Sequence, residues 1–222
     1  MRLTPILLTL AATGATVAEH PADPLCPLVL HEERQDLEET RLALNLARSN
    51  IAAFEEIFAL IDGLFENDAI DRMTWLRAKH DRDSARLALE RAELALARQG
   101  ALLDQYRLFC EARDANGITA ERRRAIADAH ARYRRADCDQ QAKAIAIAEN
   151  DLEFSRQWLA GILDLRDAEV TTRQDVILAE RDVELEEKRL ADARRRTGTC
   201  RGALGDAVRE PVPPRSGPAA PR

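Results

Sequence analysis

The sequence predicts an all-α protein built from two long antiparallel helical hairpins, each clamped by a disulfide bond. No proline occurs between Pro27 and Thr197, apolar residues recur at heptad spacing, and the period-two alternation of β-strands is missing. Abundant Ala, Leu, Glu and Arg also favour helix. Both a coiled-coil-like four-helix bundle and hairpins placed end to end fit this pattern.

The first eighteen residues have the three parts of a secretory signal peptide, predicted as residues 1–18. A basic start, Met1-Arg2, precedes an apolar run that ends in the small residues Thr16-Val17-Ala18, and cleavage is expected before Glu19. The run is shorter than the roughly 20 apolar residues that cross a bilayer. We therefore expect no integral membrane segment after cleavage, and a periplasmic or secreted protein of the bacterial cell envelope.

Lipid attachment at Cys26 is the alternative form of export. The residues before this cysteine, Asp23-Pro24-Leu25, lack the small side chains that lipidation sites require. The sequence therefore favours export without a lipid anchor.

The first hairpin, residues 19–111, is predicted from a heptad series of large apolar residues. The series forms the seam of a helix from about Pro27 to Phe65: Leu30, Leu37, Leu44, Ile51, Phe58 and Phe65. Asn67-Asp68 is predicted to form a turn, with Asp68 capping a helix from about Ala69 to Cys110 and Asp71 in its first turn. A short turn between helices of similar length predicts an antiparallel pair.

The second hairpin, residues 119–200, follows a connector at residues 112–118. Asn116-Gly117 favours a turn in the connector, and Thr119 can cap a third helix that continues to about Leu165. The seams of the second hairpin are again apolar: Cys138, Ile145, Leu152 and Leu159, then Val176, Val183 and Leu190.

The fourth helix is predicted to begin at Thr171, because Gln174 lies at capping-box spacing from it. Its expected end is near Arg196. Residues 201–222 hold five of the nine prolines and no apolar periodicity, so we expect a disordered tail.

A faint internal repeat accompanies the two hairpins. Asp68–Asp83 aligns without gaps to Asp167–Asp182, with four identities in sixteen positions. Both segments open the return helix of a hairpin, which suggests a duplication. Shared helical composition is the alternative explanation.

The four cysteines predict two disulfide bonds in an oxidising compartment. Cys26 and Cys110 each lie 42 residues from Asp68, and Cys138 and Cys200 each lie 31 residues from Glu169. Residues that face each other across an antiparallel hairpin are equidistant from its turn, and each cysteine is in phase with its seam. We therefore predict the pairs Cys26–Cys110 and Cys138–Cys200, each stabilising by about 3–4 kcal/mol in the chain-entropy model.

No motif for an enzyme, a metal or a cofactor is recognisable. The four histidines have no metal-ligand spacing, and no phosphate-binding glycine loop or nucleophile elbow is present. His80 with Asp81 and Asp83 could supply one side of a weak metal site, but a solvated helix surface explains them as well. Acidic and basic residues alternate at helical spacing, so no nucleic-acid partner is expected.

Two tryptophans near the hairpin turns are candidate partner contacts. Trp75 and Trp158 lie on opposite sides of their respective turns, with phenylalanines nearby. Aromatic side chains of this kind often anchor protein partners. The alternative is that they fill the ends of the helical bundle.

Segments of both hairpins resemble the periplasmic hairpins of tripartite efflux systems. Ala69–Ala78 resembles the tip-and-return stretch of membrane-fusion adaptors, and Asp175–Glu180 is similar to a helix of TolC-type outer-membrane channel proteins. Those families carry a glycine in the turn, whereas this sequence has Asn67-Asp68 and Arg166-Asp167. The lipoyl and β-barrel domains of those families have no counterpart in the sequence, so the resemblance implies only a periplasmic coiled coil that docks against similar hairpins.

The sequence therefore leads to three functional hypotheses. The first is an exported, non-enzymatic coiled-coil scaffold that binds a protein partner or associates with itself. The second is an accessory component of an envelope transport or efflux assembly. The third is a small hydrolase whose site has no recognisable motif.

Overall fold

The computed structural model of the protein describes residues 25–114 and 119–209. The predicted signal peptide, the Asn116-Gly117 turn and residues 210–222 lie outside this part of the chain. The described ranges contain four α-helices and no strand: α1 (Leu25–Glu66), α2 (Arg72–Asp114), α3 (Ala120–Asp167) and α4 (Arg173–Arg209). The predicted all-α class with two helical hairpins is confirmed.

The four helices form an open array in which each helix packs only against its neighbours in the chain. Contacts join α1 to α2, α2 to α3 and α3 to α4, and within the described residues α1 reaches neither α3 nor α4. The two hairpins therefore lie side by side, without closing into a bundle and without stacking end to end. The two outer helices, α1 and α4, each have one neighbour.

The two hairpin turns use the same backbone design. Asp68 and Glu169 have positive φ angles of 54° and 62°. In the first turn the amide of Asp68 donates to the carbonyl of Phe65 at 3.0 Å, and the amide of Ala69 donates to that of Leu64 at 2.9 Å. This pair of bonds is the Schellman closure of a helix C-terminus, and the second turn repeats both bonds.

The caps of α2 and α4 differ from the prediction by a few residues. Asp68 was expected to cap α2, but it closes α1, and Asp71 caps α2 by accepting from the Thr74 amide at 2.9 Å. In α4 the reciprocal cap joins Thr172 to Asp175, one position after the predicted Thr171–Gln174 pair. Each Schellman closure uses the residues directly after the first helix of its hairpin. The cap of the second helix therefore lies later in the sequence than predicted.

The predicted start of α3 is confirmed, whereas the predicted end of α4 is wrong. Thr119 caps α3 as predicted, accepting from the Arg122 amide at 3.2 Å. The expected end of α4 near Arg196 is wrong, because the helix continues to Arg209 and includes the first part of the predicted tail. The disulfide at Cys200 fixes this stretch against α3, which offsets the helix cost of Gly198, about 1 kcal/mol relative to alanine.

Both predicted disulfide pairs are present and close the open end of each hairpin. Cys26–Cys110 and Cys138–Cys200 each have a Cα–Cα distance of 5.7 Å, and all four cysteines are buried. Beside the second bond, Thr197 is only 2% exposed and donates from Oγ1 to the Gln141 carbonyl of α3 at 3.1 Å. Each hairpin is therefore fastened at both ends, by its turn and by its disulfide.

The seams between the helices of each hairpin are apolar, as the heptad series predicted. In the second hairpin Ala148, Leu152 and Leu190 form a buried cluster, with Ile145 and Val183 packed against it. In the first hairpin, Leu44 and Ile51 of α1 and Ala85 of α2 are buried.

Removing one disulfide should cost much of the stability of the protein. The double variant Cys138→Ala/Cys200→Ala should lower the free energy of unfolding by about 4 kcal/mol, because the bond closes a loop with a sequence separation of 62. Urea denaturation followed by circular dichroism measures the change. The single variant Thr197→Val is the control for lost packing nearby, and an unchanged urea midpoint in the double variant would contradict the prediction.

The Asp71 cap should make stability depend on pH. Hydrogen bonds from the Thr74 side chain and amide hold the pKa of the Asp71 carboxyl below its ordinary value. The cap therefore stabilises the fold above the unfolded pKa of about 4 and is lost as the pH falls through the lower folded pKa.

Asp71→Ala should cost about 1 kcal/mol at neutral pH, and this cost should shrink in acid. Asp71→Asn, which caps without titrating, is the control. Thermal unfolding of both variants at neutral and acidic pH provides the comparison, and a cost for Asp71→Ala that stays constant would refute the role of the carboxylate.

Candidate functional site

The two hairpin turns lie at the same end of the array. The helices α2 and α3 run antiparallel, and Met73 near the start of α2 packs against Gly161 near the end of α3. The end of α2 at Asp114 and the start of α3 at Ala120 are therefore at the opposite end, on the side where the disulfides close the hairpins. This arrangement brings Trp75 and Trp158 to the same end of the molecule.

Trp75 joins α1 to α2. Its indole nitrogen donates to Asp62 Oδ1 at 2.7 Å, and its ring stacks on Phe65 with a centroid distance of 5.2 Å. Phe58 packs against the other side at 6.3 Å, and the Lys79 ammonium lies 5.5 Å from the ring centroid. The ring is half-buried, so it fills the end of the first hairpin and keeps one exposed edge.

Trp158 is on a different seam, between α3 and α2. Its ring packs against Phe154 at 5.7 Å, and the Arg77 guanidinium of α2 lies 4.9 Å from its centroid. It is also half-buried. Both tryptophans thus contribute to internal packing, and their role as partner contacts stays a prediction.

A polar cluster between α2 and α3 was missed by the sequence analysis. Asn150 Nδ2 donates to Ser84 Oγ at 3.0 Å and lies 3.2 Å from His80 Nδ1. The His80 ring stacks on Phe154 at 4.1 Å, and its Nε2 lies 3.7 Å from Asp151 Oδ1. The residues come from two helices, so spacing along the chain gives no signal of their proximity.

The geometry of this cluster differs from that of a serine hydrolase. In a Ser-His-Asp triad the serine and the carboxylate lie at opposite ring nitrogens. Here Ser84 Oγ and Asp151 Oδ1 both approach His80 Nε2, at 3.4 and 3.7 Å. The neighbouring Asp83 is bonded to Arg82, and in the described part of the chain no three His, Cys, Asp or Glu side chains could together hold a metal ion.

Further polar contacts join the hairpins beyond this cluster. Arg98 Nε donates to Asp137 Oδ1 at 2.8 Å and a second guanidinium nitrogen donates to the Tyr133 hydroxyl at 2.9 Å. Burial opposes the charge on Arg98, but these partners raise its pKa above the ordinary value. Lys143 pairs with Glu90 further along. Polar bonds contribute to the contact between the hairpins alongside the packing of Met73 and of the Phe154 and Trp158 rings, whereas each hairpin is also held by a disulfide.

Most of the exposed large apolar residues in the described part of the chain lie on α1. Six large side chains, which we name the outer stripe, are 46–68% exposed: Leu28, Leu42, Leu46, Ile57, Leu60 and Leu64. At 3.6 residues per turn they lie roughly 160–220° around the helix from the buried Leu44, opposite the seam with α2. Spacings of eleven residues, as between Leu46 and Ile57, keep the stripe straight along one face. The predicted heptad seam does not include this second series.

Comparisons with known proteins leave the chain without an assigned family. No family model, curated protein or solved structure matches it. The resemblance to TolC-type and adaptor hairpins therefore remains a prediction. None of the helices in residues 25–114 and 119–209 combines the length and apolar character needed to cross a membrane.

Variants of Trp75 separate internal packing from partner binding. Trp75→Phe keeps the stacking but loses the bond to Asp62, and should lower the free energy of unfolding by about 1 kcal/mol. Trp75→Ala also loses the packing of a half-buried ring and should cost about 2 kcal/mol. Thermal denaturation gives both values. Wild-type stability in Trp75→Ala would show that the ring contributes little to packing and would favour the partner-contact interpretation.

Proposed function

We propose that the chain is an exported, non-enzymatic helical scaffold that binds protein partners in the cell envelope. The observation that carries this proposal is the outer stripe of α1. Exposed apolar residues gathered on one helix face are typical of protein interaction sites. Among the described residues α1 contacts only α2, so nothing in this part of the chain covers the stripe.

The scaffold presents the stripe in a fixed geometry. The Schellman turn at Asp68 and the Cys26–Cys110 bond hold α1 against α2 near both of its ends. Residues on a rigid helix lose little conformational entropy when a partner binds, which favours affinity. This supports a docking function for the α1 surface.

Two features support a location outside the cytoplasm. Disulfide bonds persist in oxidising compartments such as the periplasm or the extracellular space. The composition of residues 1–18 fits a secretory signal. Together they favour a periplasmic or secreted scaffold.

The charge beside the stripe favours a protein over a lipid surface. Glu38, Glu39 and Glu56 are exposed next to the stripe. Helices that bind anionic membranes carry lysine and arginine on their polar face instead. A protein surface with apolar residues and basic neighbours is the better complement.

Photo-crosslinking tests whether the stripe binds a protein. A photoreactive amino acid at Leu46 or Leu60 of the exported chain should give crosslinked adducts on irradiation in cells. Ala52 is exposed on α1 but off the stripe, so the same substitution there is the matched control. Adduct yields at the stripe no higher than at Ala52 would contradict the proposed function.

A further inference from the structure

The two hairpins are structurally equivalent at a shift of 101 residues, the separation of Asp68 from Glu169. The two Schellman bonds of the first turn recur at this shift, as does the bond from the Trp75 amide to the Asp71 carbonyl. Each disulfide is also centred on the positive-φ residue of its hairpin. Thus α1 corresponds to α3, and α2 corresponds to α4. The sequence alignment of Asp68–Asp83 with Asp167–Asp182 uses a shift that differs by two residues from this structural shift.

The shift of 101 residues shows which surface of α3 is equivalent to the outer stripe of α1. The α3 residues with described contacts to α2 include Lys143, Asn150, Phe154, Trp158 and Gly161. Moved back by 101 residues, these five become Leu42, Ser49, Ala53, Ile57 and Leu60, which include three members of the outer stripe. Three further contact residues, Tyr133, Asp137 and Asp151, become the polar Glu32, Asp36 and Asn50. The exposed face of α1 is therefore the equivalent of the α3 face that α2 covers.

The outer face of α4 is equivalent to the face of α2 that contacts α3. On α2, Arg77, His80 and Ser84 contact α3. Their equivalents on α4 are Leu178, Arg181 and Leu185, and all three are exposed. Among the described residues nothing therefore covers the outer face of α1 at one edge or that of α4 at the other.

We propose that the partner of the outer stripe is a second copy of this chain, whose α4 docks on α1 as α2 docks on α3 within one chain. This inference rests on the proposed function, since it names the occupant of the same surface. Equivalence places Leu178 of one copy against Ile57 of the next, and Leu185 against Ser49. The polar pairs of the α2–α3 contact are replaced by more apolar ones, in keeping with the apolar core of a subunit interface.

Two arginines of α4 come level with two glutamates of α1 in this register. Arg195 lies ten residues beyond Leu185 in α4, and Glu39 lies ten residues before Ser49 in α1. Antiparallel docking therefore brings Arg195 and Arg196, which pair with Asp192 of their own helix, level with Glu39 and Glu38 of the next copy. Docking of α1 on another α1 would instead bring the acidic flanks of two stripes together, which opposes association.

The proposed contact is head-to-tail. The two surfaces differ, so each added copy leaves one free α1 and one free α4. Successive copies then build either a closed ring or an open array of hairpins, depending on the angle between neighbours. Both products continue the alternation of helix directions found within one chain.

Sedimentation of the purified, disulfide-intact chain tests this inference. The wild type should form species larger than the monomer. Leu46→Glu/Leu60→Glu blocks the α1 face, and Leu178→Glu/Leu185→Glu blocks the α4 face. Each variant alone should be monomeric, and their mixture should give a one-to-one dimer and nothing larger, because one intact face remains on each. Ala52→Glu/Ala59→Glu, exposed and off the stripe, is the charge-matched control and should assemble like the wild type.

Other results would overturn the inference. A wild type that is monomeric at every concentration excludes a second copy as the partner. Self-association of the α4-blocked variant would indicate α1–α1 docking, and continued assembly of both variants would place the contact elsewhere. Circular dichroism checks that the variants are folded, and Leu→Gln versions replace any that are not. Crosslinks from Leu46 to a different protein, with a monomeric wild type, would preserve the proposed function and reject this inference alone.

Discussion

The antiparallel register of each hairpin is the constraint on which the rest of the structure depends. A residue with positive φ reverses the chain, and a disulfide joins positions equally far from it on both arms. With both ends fixed, the seam between the arms cannot slide, so every apolar residue keeps its partner. The exposed and buried faces of the helices then follow from the same register.

The contacts within each hairpin differ from the contacts between the two hairpins. Within a hairpin an apolar seam and a disulfide join the two helices, as in the cluster of Leu152 and Leu190 beside the Cys138–Cys200 bond. Between hairpins, packing such as that of Met73 on Gly161 is combined with polar pairs such as Arg98–Asp137. Partly exposed ion pairs of this kind contribute little stability individually. The covalent bonds are thus confined to the hairpins, while the α2–α3 contact sets how the two hairpins are placed.

Much of the fold could be predicted because its causes are local or periodic. Proline absence and heptad spacing indicated the helices, and the equal distances of the cysteines from the turns indicated the pairing. The caps were displaced because a Schellman closure takes up residues that composition alone assigns to the next helix. The end of α4 was misjudged because the cost of Gly198 is local, whereas the bond at Cys200 that offsets it is a tertiary feature.

The candidate binding surface was harder to predict. Leu42, Leu46 and Ile57 have the spacing of a helical face, but a second apolar face has meaning only once the neighbours of α1 are known. The same holds for His80 and Asn150, which are 70 residues apart in the chain. The shift of 101 residues between the hairpins was already implicit in the cysteine spacing, which is centred on Asp68 and Glu169, and the backbone bonds of the two turns repeat at the same shift. Sequence identity between the segments is too low to set that register.

The order of the disulfides along the chain has a consequence for biogenesis. The first cysteine pairs with the second and the third with the fourth, so the two covalent loops follow one another without overlapping. A chain that emerges amino end first can close the Cys26–Cys110 loop before Cys138 and Cys200 have appeared. Oxidation of cysteines in order of emergence then gives the native pairs directly. The slow reshuffling of mispaired bonds, which takes seconds to hours, is not needed for this topology.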